Sequence, residues 1–171
     1  MSHIDKIVQV AKGYKGQEEI QPNLGFKDAT FWTKMKNVGF YRGASWCGFF
    51  VMLVLFEVYA DAPIILKYLK KYCSASTHEM WVNFRASKEI ITGQEPKLGA
   101  VAIWEEGDGT NGHTGLVIGI SPDGKHYTTS EGNSNSDGSR NGYEVAENTH
   151  TLGLPHSTNG LNLLGFAYMP E

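Results

Sequence analysis

The stretch from Tyr41 to Tyr59, YRGASWCGFFVMLVLFEVY, joins a small-residue turn to a dense apolar run and sets one cysteine, Cys47, at the junction. The apolar part, Ala44 to Phe56, is 13 residues long, whereas a helix that crosses a bilayer needs about 20. It reads instead as a buried helix over residues 45–60, with Ser45 as its N-cap. An apolar surround is the ordinary setting of a cysteine that only packs. The first turn of a helix is also where a thiolate is favoured, because partial positive charge and N–H groups without intrahelical acceptors collect there. Those N–H groups can hold the oxyanion of a tetrahedral intermediate, and Gly43, Ala44 and Gly48 leave room for a substrate carbonyl.

Outward from this helix the pattern divides the chain in two. On the N-terminal side, Ile4, Ile7, Val8 and Ala11 recur at helical spacing and predict an amphipathic helix before Gly13 and Gly16. Between Gln21 and Gly43, the breakers Pro22, Gly25 and Gly39 alternate with Phe26, Phe31, Trp32, Met35 and Phe40, which predicts a short helix between packed loops. Pro63 opens a further helix through Tyr72, and another helical stretch runs from Thr77 to Ile91, ending at Gly93. Beyond Gly93 the segments AVAIW, TGLVIGI, HYTTSEG, YEVAENTHT and LLGFAYM are short and rich in β-branched or aromatic residues, and predict five strands. SPDGKH from Ser121 joins two of them as a hairpin, and NSNSDGSRNG from Asn133 is the next loop. The expected architecture is α+β, with N-terminal helices packed on a C-terminal antiparallel sheet.

At 171 residues the chain is expected to form one domain, residues 1–171, burying roughly 70% of the surface its unfolded form exposes. Fifteen Lys plus Arg against eighteen Asp plus Glu give a net charge of −3 without clusters, so neither nucleic acid nor membrane insertion is expected. Two cysteines, Cys47 and Cys73, are too few for a disulfide framework, and reduced thiols are the default. The opening MSHIDKIVQVAKGYKG lacks the apolar core and cleavage site of a secretory signal, so export is expected to use another route.

A nucleophilic cysteine needs a base, and His113 stands at the start of the predicted strand TGLVIGI, where the ladder would hold its backbone while the ring projects at the sheet edge. In the next strand, Glu131 and Asn133 are two apart and share a face if the strand continues through them; either could orient the imidazole. Trp46 and Trp104 are candidate walls of a substrate cleft, and the Tyr41 hydroxyl a candidate oxyanion donor. His78, His126, His150 and His156 complete no familiar ligand set, so no metal and no cofactor is expected and these histidines are assigned to the surface.

The order SWCGFFV, PKLGAVAIW, GHTGLVIGI, SEGNSN resembles the CHAP amidohydrolase/peptidase family, within the wider NlpC-type, papain-like group. The spacings agree: 66 residues from Cys47 to His113, 18 from His113 to Glu131 and two from Glu131 to Asn133. The likeness runs from about Gly13 to Pro170, with LLGFAYMP resembling the family's last strand. It implies Cys47 as nucleophile, His113 as general base and acid, Glu131 as the residue that orients the imidazole, and Asn133 as a fourth polar member. It implies a peptidoglycan peptide or its amide link to the sugar as substrate. Ala100 stands where relatives often carry an acidic residue, and no aspartate cluster resembles the calcium site of some relatives.

The expected function is therefore a peptidoglycan amidase or endopeptidase, delivered by phage lysis machinery as an endolysin or by a secretion system as an antibacterial effector with an immunity protein. Two rivals share the pattern. One is a cysteine protease or deamidase acting on a protein, although true papain-like proteases separate cysteine and histidine by about twice this distance. The other is a non-catalytic wall-binding or phage structural module.

Overall fold

The computed structural model describes residues 1–135 and 142–171. Among them are five α-helices, α1 His3–Gly13, α2 Ala29–Asn37, α3 Cys47–Val58, α4 Pro63–Tyr72 and α5 Thr77–Ala86. Six strands follow, β1 Ile91–Gly93, β2 Val101–Glu106, β3 Gly112–Ile120, β4 His126–Ser134, β5 Glu144–Thr151 and β6 Leu161–Tyr168. They form one antiparallel sheet in the order β1-β6-β2-β3-β4-β5. The α+β expectation holds, with helices before sheet.

The helix starts follow local chemistry. Ser2 and Asp5 form a reciprocal capping box on α1, Asp28 accepts from the Phe31 N–H at the head of α2, and Ser76 caps α5 through the Glu79 N–H. Pro63 opens α4, where its missing N–H costs nothing. α3 differs: Trp46, not the expected Ser45, occupies its N-cap position, and no side chain caps it. Its first-turn N–H groups are thus not claimed by a capping side chain. Apart from Phe56 and Glu57, every residue of α3 is buried, which is why its sequence is apolar on all sides. It runs through the centre of the core, touching α1, α2 and α4 as well as β3 and β4.

The expected five strands become six because the last predicted helix stops at Ala86 rather than Ile91. Ser87 Oγ accepts from the Ile90 N–H at 2.8 Å and turns the chain, after which Ile91–Gly93 pairs with Phe166–Tyr168 at the sheet edge. The SPDGKH hairpin forms as expected: the Gly124 N–H bonds the Ser121 carbonyl, and Ser121 and His126 close the pair. Of the predicted loop NSNSDGSRNG, residues 136–141 lie outside the described residues.

Two close approaches bring α3 and the sheet together. A Cβ on Gly132 would lie 2.5 Å from Phe50 Cβ and 2.8 Å from the Trp46 ring, so α3 rests directly on β4 beside Glu131. A Cβ on Gly115 would lie 2.7 Å from Glu131 Cγ. Glycine there leaves the Glu131 side chain space to lie across β3 toward His113.

Candidate active site

Strand register explains how distant residues converge. Trp104 of β2 pairs with His113 of β3, and Tyr127 and Thr129 of β4 pair with His150 and Asn148 of β5. Since alternate residues share a face, His113, Thr129, Glu131, Asn148 and His150 gather on one side around the Trp104 and Tyr127 rings. His113 lies 5.9 Å from Trp104 between ring centroids, and His150 lies 4.6 Å from Trp104 and 5.4 Å from Tyr127. The two imidazoles rest on an aromatic shelf.

Cys47, at the first position of α3, lines the same cleft as His113 and bears electrostatically on its ring. The ring's Nε2 is 2.8 Å from Glu131 Oε2. An ionised carboxylate only accepts, so Nε2 carries the proton toward Glu131 and Nδ1 is left for the thiol. Burial by itself disfavours an imidazolium, but the hydrogen bonds and charges of Cys47 and Glu131 outweigh it and raise His113 to a pKa of about 10.

Glu131 is 2% exposed. Among the described residues five side chains donate to it: His113, Ser134 at 3.0 Å and Asn148 at 3.0 Å on Oε2, and His150 at 2.6 Å and Thr129 on Oε1. Burial pushes its pKa up; the hydrogen bonds and positive charge of His113 and His150 override this and hold the carboxyl well below the ordinary range. A buried carboxylate satisfied on both oxygens is a fixed charge, able to stabilise a proton on His113 at little reorganisation.

A cleft of about 730 Å³ opens over this group, with Ser45, Cys47, His113, Glu131, Asn133 and His150 among its lining. The uncapped end of α3 thus faces the same space as the thiol. Among the described residues, no group of three or more His, Cys, Asp or Glu side chains is arranged to hold a metal ion.

The sequence-derived residues fare unequally. Cys47, His113 and Glu131 come together at one cleft, His113 hydrogen-bonded to Glu131. Asn133 lines the cleft, but the argument that strand alternation sets it beside Glu131 fails: β4 shifts register against β5 between Glu131 and Ser134, and Asn133 takes a left-handed φ of 54° at that bulge. Ser134 and Asn148 take the place beside the carboxylate, joined to each other at 2.8 Å.

Trp46 is not a cleft wall. It is 0% exposed, edge-on to Phe26 at 4.9 Å and Phe31 at 6.3 Å, with Nε1 donating to Glu19 Oε2 at 3.0 Å. Trp104 is buried behind the imidazoles rather than lining the cleft. Tyr41 is 66% exposed, its ring against Phe49, and lies outside the cleft lining, so its hydroxyl is not placed as an oxyanion donor. His150, assigned to the surface from sequence, belongs to the site. Cys73 is free, as is Cys47, and burial pushes its thiol up to about 12.

The CHAP domain family model matches residues 23–133, a span that begins ahead of α2 and ends just past Glu131. No curated protein matches the chain.

Proposed function

The chain belongs to the CHAP domain family, whose members are peptidoglycan-related amidases and peptidases, and from that premise we propose that it hydrolyses an amide of peptidoglycan through Cys47. The observation that carries this reading is the convergence of Cys47, His113 and Glu131 on one cleft, with the His113 ring hydrogen-bonded to Glu131.

In the proposed reaction His113 Nδ1 takes the proton of Cys47, and the thiolate Sγ attacks the amide carbon. The carbonyl π electrons move to oxygen, and the oxyanion is met by N–H groups at the uncapped start of α3. Collapse of the intermediate breaks the C–N bond, the leaving amine takes the proton from His113, and a thioester remains. Water, deprotonated by the same imidazole, adds to the thioester; cleavage of the C–S bond returns the thiol and releases a carboxylic acid. Glu131 stays ionised throughout and stabilises the imidazolium. The Ser76, Thr77, Asn111 and Asn148 side chains around the cleft suit a peptide, whose groups are donors and acceptors rather than fixed charges.

The reading is tested by incubating purified peptidoglycan with the wild type and with Cys47→Ala and weighing the released fragments by mass spectrometry. New amine and carboxyl termini from the wild type only are expected, and their masses name the bond. Equal release by both proteins overturns the cysteine mechanism; an intact wall with cleavage of a protein substrate transfers it to the protease reading. Delivery as an endolysin or as an effector is part of the same proposal. Expression directed to the periplasm of a Gram-negative host then lyses the cells, whereas Cys47→Ala does not.

A further inference from the structure

His150 bonds the oxygen of Glu131 that His113 does not. The two imidazole Nε2 atoms stand 2.6 Å from Oε1 and 2.8 Å from Oε2, so one carboxylate is held between two rings. The His150 ring is itself fixed, stacked 27° off parallel to Tyr127 and tilted by 38° against Trp104. The Tyr127 and Trp104 rings are themselves stacked, 6.4 Å apart between centroids and 11° off parallel, so one aromatic pair backs His150. Without His150, Oε1 would keep only Thr129 among its described partners, while Oε2 would keep His113, Ser134 and Asn148. The carboxylate could then rotate about Cγ–Cδ or withdraw from His113, and the imidazolium would lose part of its counter-charge.

The geometry points to His150 as a positioning residue of the reaction: it fixes the second oxygen of Glu131 so that the first is presented to His113, and it acts on Cys47 only through that relay. This rests on the reading of the site as a cysteine hydrolase. The groups that bear on His113 are Cys47 from α3 and Glu131 from β4, over Trp104 of β2; those that bear on His150 are Glu131 and Tyr127 from β4, over the same Trp104. The role requires a donor at the Nε2 position and not a titrating ring. Glutamine, whose amide nitrogen can reach the same place, should therefore substitute, and alanine should not.

The experiment compares wild type, His150→Ala and His150→Gln in two measurements that need no substrate. Imidazole ¹H–¹⁵N NMR follows the titration of His113, and mass spectrometry follows iodoacetamide alkylation of the Cys47 peptide as a function of pH from about 6.5 to about 10.5. In His150→Ala the His113 midpoint should fall by about one pH unit or more, and the alkaline step in the alkylation rate that accompanies loss of the imidazolium should fall with it. His150→Gln should hold both within about a factor of two, on the order of 0.3 pH units. An unchanged midpoint in His150→Ala overturns the proposal, as does an equal loss in the Gln variant. Thermal melting of each variant separates either result from loss of the fold. If wild-type Cys47 is alkylated no faster than free cysteine, the hydrolase reading fails and takes this one with it; normal wild-type alkylation with an indifferent His150→Ala sinks this proposal alone.

Discussion

Glu131 Oε2 lies 2.8 Å from His113 Nε2, so Nδ1 is the ring nitrogen available to Cys47. That one contact sets the tautomer, the ring plane and the charge of the base. In Glu131→Gln the shape stays and the counter-charge goes. Hydrolysis should fall by roughly 10⁴-fold, the size of the loss when a triad carboxylate is made an amide. The alkaline limb of kcat/KM should move down from about 10 toward the ordinary histidine value of 6.5. A pH–rate profile of the two proteins checks both statements.

The same pair makes stability depend on pH in two windows. The folded pKa of His113 is raised, from 6.5 to about 10, so its contribution is fully present below pH 6.5 and is lost as pH rises to about 10. The folded pKa of Glu131 is depressed, so its contribution is present above the unfolded carboxyl value of about 4.3 and is lost as pH falls below it. The melting temperature should therefore be highest between about pH 5 and 6.5 and fall on both sides. Glu131→Gln should flatten the acid side.

Gly115→Ala tests the passage that Glu131 uses. The new methyl would stand 2.7 Å from Glu131 Cγ and 3.0 Å from the Ser130 carbonyl oxygen. A flexible side chain moves before backbone does, so the carboxylate should be displaced from His113. Activity should drop by about tenfold or more, with a stability loss of roughly 1–3 kcal/mol. Turnover and chemical denaturation measured on one preparation give both numbers.

Trp46→Phe separates a core role from a substrate-binding one. The change removes the donor to Glu19 Oε2, whose described partner is then the Asn23 N–H at 2.8 Å, and leaves a gap against Phe26 and Phe31. A loss of about 2 kcal/mol is expected, with KM changed by less than about twofold, within the 0.5 kcal/mol that marks a site without contact. A large rise in KM with unaltered stability would instead return Trp46 to the cleft.

Much of this arrangement is legible in the chain itself. The apolar run after Cys47 announces a helix buried on all sides, Pro63 marks the head of α4, and the change of period after Gly93 marks the passage to the longer strands β2 to β6. Residue type and order suggest Cys47 with His113 and leave Glu131 and Asn133 both open as the group that orients the ring; the choice of Glu131 comes from the resemblance to the CHAP family. What escapes is what register decides. His150 and Asn148 alternate in ENTHT and so share a face, which is the available signal, yet only the pairing of His150 with Tyr127 and of Asn148 with Thr129 brings them to Glu131. With about ten residues between Ser134 and Glu144 in sequence, that pairing cannot be read from pattern. The bulge that displaces Asn133 and admits Ser134 is equally non-local. Trp46 misleads for another reason: the acceptor that lets its indole be buried, Glu19, lies 27 residues away in a loop. β1 is missed because a three-residue strand has no period of its own, and it exists only through its partner β6.

The central claim is that Cys47 and His113 form a reactive pair, and it is tested most directly by timing iodoacetamide alkylation of Cys47 at pH 6–7 in the wild type and in His113→Ala, with the site of modification read by mass spectrometry. The account predicts that Cys47 reacts well ahead of Cys73, whose buried thiol is pushed up to about 12, and that removing His113 slows Cys47 by on the order of 10²-fold, the usual share of an adjacent base. A Cys47 that reacts no faster than a free thiol, or one indifferent to the loss of His113, would contradict it.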